Sequence, residues 1–149
     1  MTEAQPLATV TVAGHCLCGA VTFAAQVYPH VHVCHCGMCR RSCGGPAFAL
    51  RTESIEFAGD ASQLARYDSS KWAMRGFCKT CGSSLFYELR EGGHTALFAG
   101  ALDADSAAAA GLFLHGEIFV DDKPSFYDFA GAHERLTGKQ FTDRVMGAN

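Results

Sequence analysis

The chain has 149 residues, enough for one domain with a real buried core and too few for two. Hydrophobic residues make up 48% and charged residues 18%, the composition of a folded soluble protein. A formal charge of -3, with Arg40-Arg41 as the only tight basic cluster, excludes a basic groove for nucleic acid.

The first fifteen residues lack a basic stretch followed by an apolar one, so they do not read as a secretory signal. Nothing approaches the roughly 20 apolar residues that a membrane helix needs. The expectation is a cytoplasmic protein with neither a nucleic-acid nor a membrane partner. Residues 1–8 read as a loose tail. Ala20–Ala24 and Val31–Val33 then read as short strands, with β-branched and aromatic residues between turn formers. Ala47–Leu50 and Ser54–Phe57 look similar, and Gly59-Asp60 forms a turn after them. Met74–Phe77 leads into a Cys-x-x-Cys turn and Ser84–Glu88 leads out, which predicts a hairpin with a knuckle at its tip. Thr95–Ala99 and Gly116–Val120 continue the strand pattern. Helix signals are sparse: a turn at Cys39–Gly44, one or two turns at Asp103–Ala110 closed by Gly111, and a short helix within His133–Met146. The fold class is mainly β, a twisted antiparallel sheet or sandwich with few short helices.

Eight cysteines fall into three groups: Cys16-x-Cys18, Cys34-x-Cys36-x-x-Cys39 followed by Cys43, and Cys78-x-x-Cys81. In a reducing compartment, clustered cysteines serve as metal ligands more often than as disulfides. Zinc takes four soft ligands in a tetrahedron, and two sulfurs from one tight turn can meet two from a distant one. Gly19 and Gly82 each follow a pair and let the backbone curl so that its N–H groups face the sulfurs. We therefore pair Cys16 and Cys18 with Cys78 and Cys81 as a closed zinc site. Spacing alone also allows Cys16 and Cys18 to pair with members of the middle group. The middle group differs in kind. Cys34, Cys36 and Cys39 supply three thiolates and leave one position for water or substrate, the mark of a catalytic zinc. A substrate thiol arriving there loses its proton and becomes nucleophilic. Arg40 and Arg41 are candidates for attracting a carboxylate-bearing ligand. Cys43 has three readings: a fourth ligand, a redox-active thiol beside the metal, or an ordinary buried cysteine. In an extended segment His30 and His32 share a side with Cys34 and Cys36, which makes His32 a candidate base, whereas His35 points the other way. His15, His94, His115 and His133 read as surface or hydrogen-bonded residues. No nucleophile elbow, phosphate loop or dinucleotide fingerprint is present.

The segments Gly14-His15-Cys16-Leu17-Cys18-Gly19-Ala20-Val21, Cys34-His35-Cys36-Gly37-Met38-Cys39-Arg40-Arg41 and Phe77-Cys78-Lys79-Thr80-Cys81-Gly82-Ser83 resemble the glutathione-dependent formaldehyde-activating enzyme family, which includes centromere protein V. His115–Val120 and Lys123–Tyr127 resemble that family's closing segment. The resemblance covers about residues 14–130 of a single domain spanning 1–149. It implies a β-tent type of zinc fold, as in Rab guanine-nucleotide-exchange accessory factors. It also implies a structural zinc on Cys16, Cys18, Cys78 and Cys81, and a catalytic-type zinc on Cys34, Cys36 and Cys39. The implied activity is that of a carbon–sulfur lyase, with glutathione as co-substrate and S-hydroxymethylglutathione as the adduct with formaldehyde. The alternative expectation is a non-enzymatic thiol carrier or zinc-stabilised interaction module, and a redox sensor using Cys43 ranks last.

Overall fold

The computed structural model describes residues 8–147, so all but the last residue of the expected tail lies outside the described residues. Among the described residues there are nine strands and three α-helices. In chain order they are β1 (Val10–His15), β2 (Val21–Cys34), α1 (Gly37–Cys43), β3 (Ala47–Gly59), β4 (Leu64–Asp68), β5 (Ala73–Cys78) and β6 (Ser84–Leu89). Then follow β7 (Thr95–Phe98), α2 (Ala104–Ala109), β8 (Phe113–Ile118), β9 (Glu134–Leu136) and α3 (Gly138–Gly147). The protein is mainly β with short helices, as expected. Two compact units share the chain: one takes the residues up to His30 with Leu50–Leu112, the other Val31–Ala49 with the residues from Phe113 onward.

In the first unit the strands run in the order β4-β5-β6-β7-β3-β2, and β1 also pairs with β2. Strict alternation along β2 sends Val21, Phe23, Ala25 and Val27 to the buried face. Val12, Leu50, Leu85, Phe86 and Leu97 are buried with them, each large side chain contributing about 1.5–3 kcal/mol. β1 packs so closely that Gly14 bridges to Leu102, and a Cβ there would lie 2.2 Å from the Ala101 carbonyl oxygen and 2.6 Å from the Phe23 ring. The Ala13 amide donates to Ser106 Oγ at 2.7 Å, tying β1 to α2. β5 and β6 form the expected antiparallel hairpin. Its tip closes where the Gly82 amide donates to the Cys78 carbonyl at 2.7 Å, with Gly82 at φ 77°. The turn between β1 and β2 repeats this design: the Gly19 amide donates to the Cys16 carbonyl at 3.0 Å, with Gly19 at φ 81°.

In the second unit α1 starts at Cys36, whose sulfur accepts from the Cys39 amide, and ends at Gly44 in the left-handed region at φ 74°. β8 pairs with β9 in parallel, matching Glu117 to Arg135. Phe119 stops β8 by adopting φ 57° and ψ 42°, a conformation costing a non-glycine residue about 1–2 kcal/mol. Packing holds it there, since its ring lies 5.9 Å from that of Phe141 and covers Gly138.

The strands expected at Ala20–Ala24 and Val31–Val33 are parts of one, β2, and those at Ala47–Leu50 and Ser54–Phe57 are parts of β3. The expected Gly116–Val120 strand ends instead at Ile118, because Phe119 turns the chain. The short helix expected within His133–Met146 is α3, which begins at Gly138 after β9.

Replacing Gly14 by Ala should lower stability by about 1–3 kcal/mol, because the added methyl meets fixed backbone at Ala101. Urea unfolding will measure it, and Gly100→Ala, where a Cβ meets nothing within 4 Å, should cost far less.

Candidate functional site

The Cys16, Cys18, Cys78 and Cys81 sulfurs all lie within 4.8 Å of one another. Cys16 and Cys18 are 3.6 Å apart and Cys18 and Cys78 are 3.8 Å apart. Four sulfurs about 2.3 Å from a tetrahedral ion would stand about 3.8 Å from one another, so this set fits a metal. The turns aim donors at the sulfurs. The Val21 amide reaches Cys16 Sγ at 3.3 Å, and Ser83 Oγ lies 3.2 Å from Cys81 Sγ. The Ser83 hydroxyl and amide hold the Cys81 thiol down at about 5. Cys18 moves up to about 11: the Ala20 amide lowers it, but Cys16, partial burial and the other two thiols outweigh that donor. A cluster that holds thiolate and thiol at such different values is one whose sulfurs compete for negative charge, and a cation would relieve that competition.

The second group is Cys34, Cys36 and Cys39, again with sulfurs mutually within 4.8 Å. Cys34 closes β2, Cys36 caps α1 and Cys39 sits one turn inside it. Cys34 and Cys39 are buried and Cys36 is more open. Hydrogen bonds from the Cys34 and Cys39 thiols pull Cys36 down to about 2, and the same sharing pushes Cys34 up. Three soft donors converge here, leaving a tetrahedral ion one further position. Cys43, half-buried at the end of α1, does not join them. Arg40 turns its Nε toward the His35 carbonyl at 2.9 Å, while Arg41 is exposed on α1. The His32 ring lies against that of His115, with centroids 5.0 Å apart.

Sequence reasoning missed the polar core beside this group. Glu117, only 2% exposed, points from β8 into a ring of donors. His35 Nε2 donates to its Oε1 at 2.7 Å, while Arg135 Nε at 2.9 Å and His133 Nε2 both reach Oε2. His35, fully buried between two cysteines of the group, has its Nδ1 2.7 Å from the Tyr127 hydroxyl. Burial works to raise Glu117, but His133, His35 and Arg135 together hold its carboxyl below the usual range. Burial pushes the Tyr127 phenol up, even though Arg40 and Lys123 pull the other way. The one signal available was that His35, Glu117 and Tyr127 lie in the segments that carry the family resemblance.

A sequence model described as glutathione-dependent formaldehyde-activating enzyme matches residues 11–122. The chain belongs to this family. Among curated proteins it is similar to an uncharacterized lyase of Schizosaccharomyces pombe, 30% identical over 134 residues that cover 89% of this chain and 93% of the relative. Among solved structures it is similar to a Rhodobacter sphaeroides protein at 26% identity and a TM-score of 0.53, covering 62% of this chain and 88% of that one. Family and relative together support a formaldehyde-activating, lyase-like role with cysteine clusters able to hold metal. Among the described residues, no helix is long and apolar enough to cross a membrane.

The Glu117 network makes a signed prediction. The folded-state carboxyl titrates below the ordinary 4.5, so its contribution is full above that pH and disappears as pH falls through the lowered value. Glu117→Gln should cost about 2 kcal/mol at pH 7, with a smaller penalty as the pH drops below the ordinary carboxylate range. Urea unfolding of both proteins at neutral and acid pH will show whether the gap closes.

Proposed function

We propose that the protein is a zinc-dependent carbon–sulfur lyase that joins and separates a small thiol and an aldehyde, with glutathione and formaldehyde the leading pair. The observation that carries this reading is the pair of unequal cysteine groups, one with four converging sulfurs and one with three. Cys16, Cys18, Cys78 and Cys81 would hold a structural zinc that fastens two distant turns. Cys34, Cys36 and Cys39 would hold the second zinc and leave a place for the substrate sulfur.

A zinc ion bound there supplies Lewis acidity that keeps an incoming thiol deprotonated at neutral pH. The chain's own residues supply the rest. Cys34, buried at the end of β2, and Cys39, buried within α1, would hold the ligand set together with Cys36 at the start of that helix. Arg41, exposed on that helix, and Arg40 beside it provide positive charge for the carboxylates of a peptide-like thiol. In the forward direction the thiolate sulfur attacks the carbonyl carbon, the C=O electron pair moves to oxygen, and that oxygen takes up the proton released by the thiol. Cleavage is the reverse, and no redox partner enters the balance. The same reading places the protein in the cytoplasm, where glutathione is abundant.

The purified protein should contain two zinc ions per chain, and glutathione should change the ligation of one of them, as seen by X-ray absorption at the zinc edge. Cys36→Ala should lose that responsive zinc and all thiol-dependent aldehyde turnover while staying folded. Cys78→Ala should lose the other zinc and unfold, because a structural metal contributes directly to folding free energy. Two zincs indifferent to glutathione would overturn the lyase reading in favour of a thiol-independent structural or interaction role.

A further inference from the structure

Resting on the reading of Cys16, Cys18, Cys78 and Cys81 as a zinc site, we propose that residues 59–63 form a clasp that sets the spacing of the two cysteine turns, and that Gln63 is the positioning residue governing how firmly that site retains its metal. These residues join β3 to β4 and touch both turns. At the first turn, the Asp60 amide donates to the Ala20 carbonyl at 2.9 Å. Ala20 follows Gly19, and its own amide serves the Cys18 thiol, so a single residue links the clasp to a ligand. Gly59 makes the approach possible. It takes φ 79°, and a Cβ there would lie 2.4 Å from the same Ala20 carbonyl oxygen.

At the second turn, the Lys79 amide donates to the Gln63 carbonyl at 2.8 Å, and the Thr80 hydroxyl donates to Gln63 Oε1. Lys79 and Thr80 are the two residues between Cys78 and Cys81, so Gln63 grips this turn between its ligands. β4 begins one residue later, with Leu64 opposite Cys78. Between its two ends the clasp is braced internally. The Gln63 amide donates to the Asp60 carbonyl at 3.0 Å and closes a one-turn 3₁₀ segment, Ala61–Gln63. Asp60 Oδ1 accepts from the Ser62 amide at 3.1 Å and from the Ser62 hydroxyl, and Gln63 Nε2 donates to Ser62 Oγ at 3.3 Å.

A braced turn with one end on each cysteine pair is a spacer, and it opposes the separation of the pairs through which a metal escapes. Groups that orient ligands from outside the coordination sphere contribute to how tightly a metal is held. The bond from Thr80 to the Gln63 side chain is the part of the clasp that a substitution removes without touching the backbone. One such bond corresponds to about a three- to tenfold change in retention.

The test loads the full-length protein with cobalt(II), whose thiolate absorption strengthens with the number of coordinating thiolates, and follows its removal by excess EDTA. The wild type should show a four-thiolate metal whose loss can be timed separately from that of any metal on Cys34, Cys36 and Cys39. Gln63→Ala and Thr80→Val should each speed the loss of the four-thiolate metal by about three- to tenfold and leave the other unchanged. The double variant should be little faster than either single one, because both remove the same bond. Gln63→Glu keeps an acceptor for the Thr80 hydroxyl and should hold the metal as the wild type does. If Gln63→Ala leaves the rate unmoved, speeds both sites alike, or is matched by Gln63→Glu, the clasp is overturned while the zinc reading stands. If the wild type shows no four-thiolate metal, the zinc reading falls and the clasp with it.

Discussion

Taking a carboxylate out of water costs several kcal/mol unless its oxygens find donors, and Glu117 is out of water. Much of the second unit is arranged around that requirement. His35 approaches from the segment joining β2 to α1, while His133 and Arg135 come from the segment that forms β9. Satisfying one carboxylate therefore fastens three stretches of chain, and the parallel pairing of β8 with β9 puts Arg135 opposite Glu117. His35 is held by its backbone as well, donating its amide to the Ile118 carbonyl at 3.1 Å. The cysteines on either side of His35 consequently sit on a segment with little freedom to shift.

The first unit solves a different problem by different means. Its four sulfurs sit at the tips of two tight turns, where each chain reversal needs a glycine in the left-handed region. Backbone hydrogen bonds close those turns, and the Val21 amide and the Ser83 hydroxyl reach the sulfurs of Cys16 and Cys81. What remains is to hold one turn against the other. The Leu17 amide donates to Ser83 Oγ at 2.8 Å across that gap, and Cys18 Sγ meets Cys78 Sγ at 3.8 Å; a metal would add four bonds there.

The cysteine groups were legible because ligand geometry is local: spacings of one or two residues and a following glycine are visible without any knowledge of the fold. The hairpin tip at Cys78 was legible for the same reason. The Glu117 network was not. His35 and Glu117 are 82 residues apart and His133 lies 16 beyond Glu117, and none of these residue types is unusual enough to announce a partner. His133 is the hydrogen-bonded histidine the sequence suggested, but its acceptor could be found only in three dimensions. Strand lengths failed in a related way. Pro29 lies inside β2, where the loss of one amide donor made the run look like two short strands. Phe119 looked like strand, because an aromatic residue beside Ile118 and Val120 favours that state. The override comes from Phe141 and Gly138, which no window around Phe119 contains.

That override bears on the site. A strand continuing through Val120 would carry the chain straight on, whereas the left-handed residue breaks it after Ile118, one position beyond Glu117. A one-turn 3₁₀ segment, Val120–Asp122, follows, and Lys123 then clips the loop whose Tyr127 returns to His35. The backbone cost at Phe119 and the burial cost at Glu117 thus serve one arrangement, in which a phenol is brought back to the imidazole flanked by Cys34 and Cys36. Local rules of propensity are broken at Phe119 and Glu117, within three residues of each other and beside the group with three cysteines rather than four. A segment needed only for stability could have stayed in strand geometry with an apolar residue at position 117. That it does not is a reason to look for chemistry around Cys34, Cys36 and Cys39 rather than at the four-cysteine cluster.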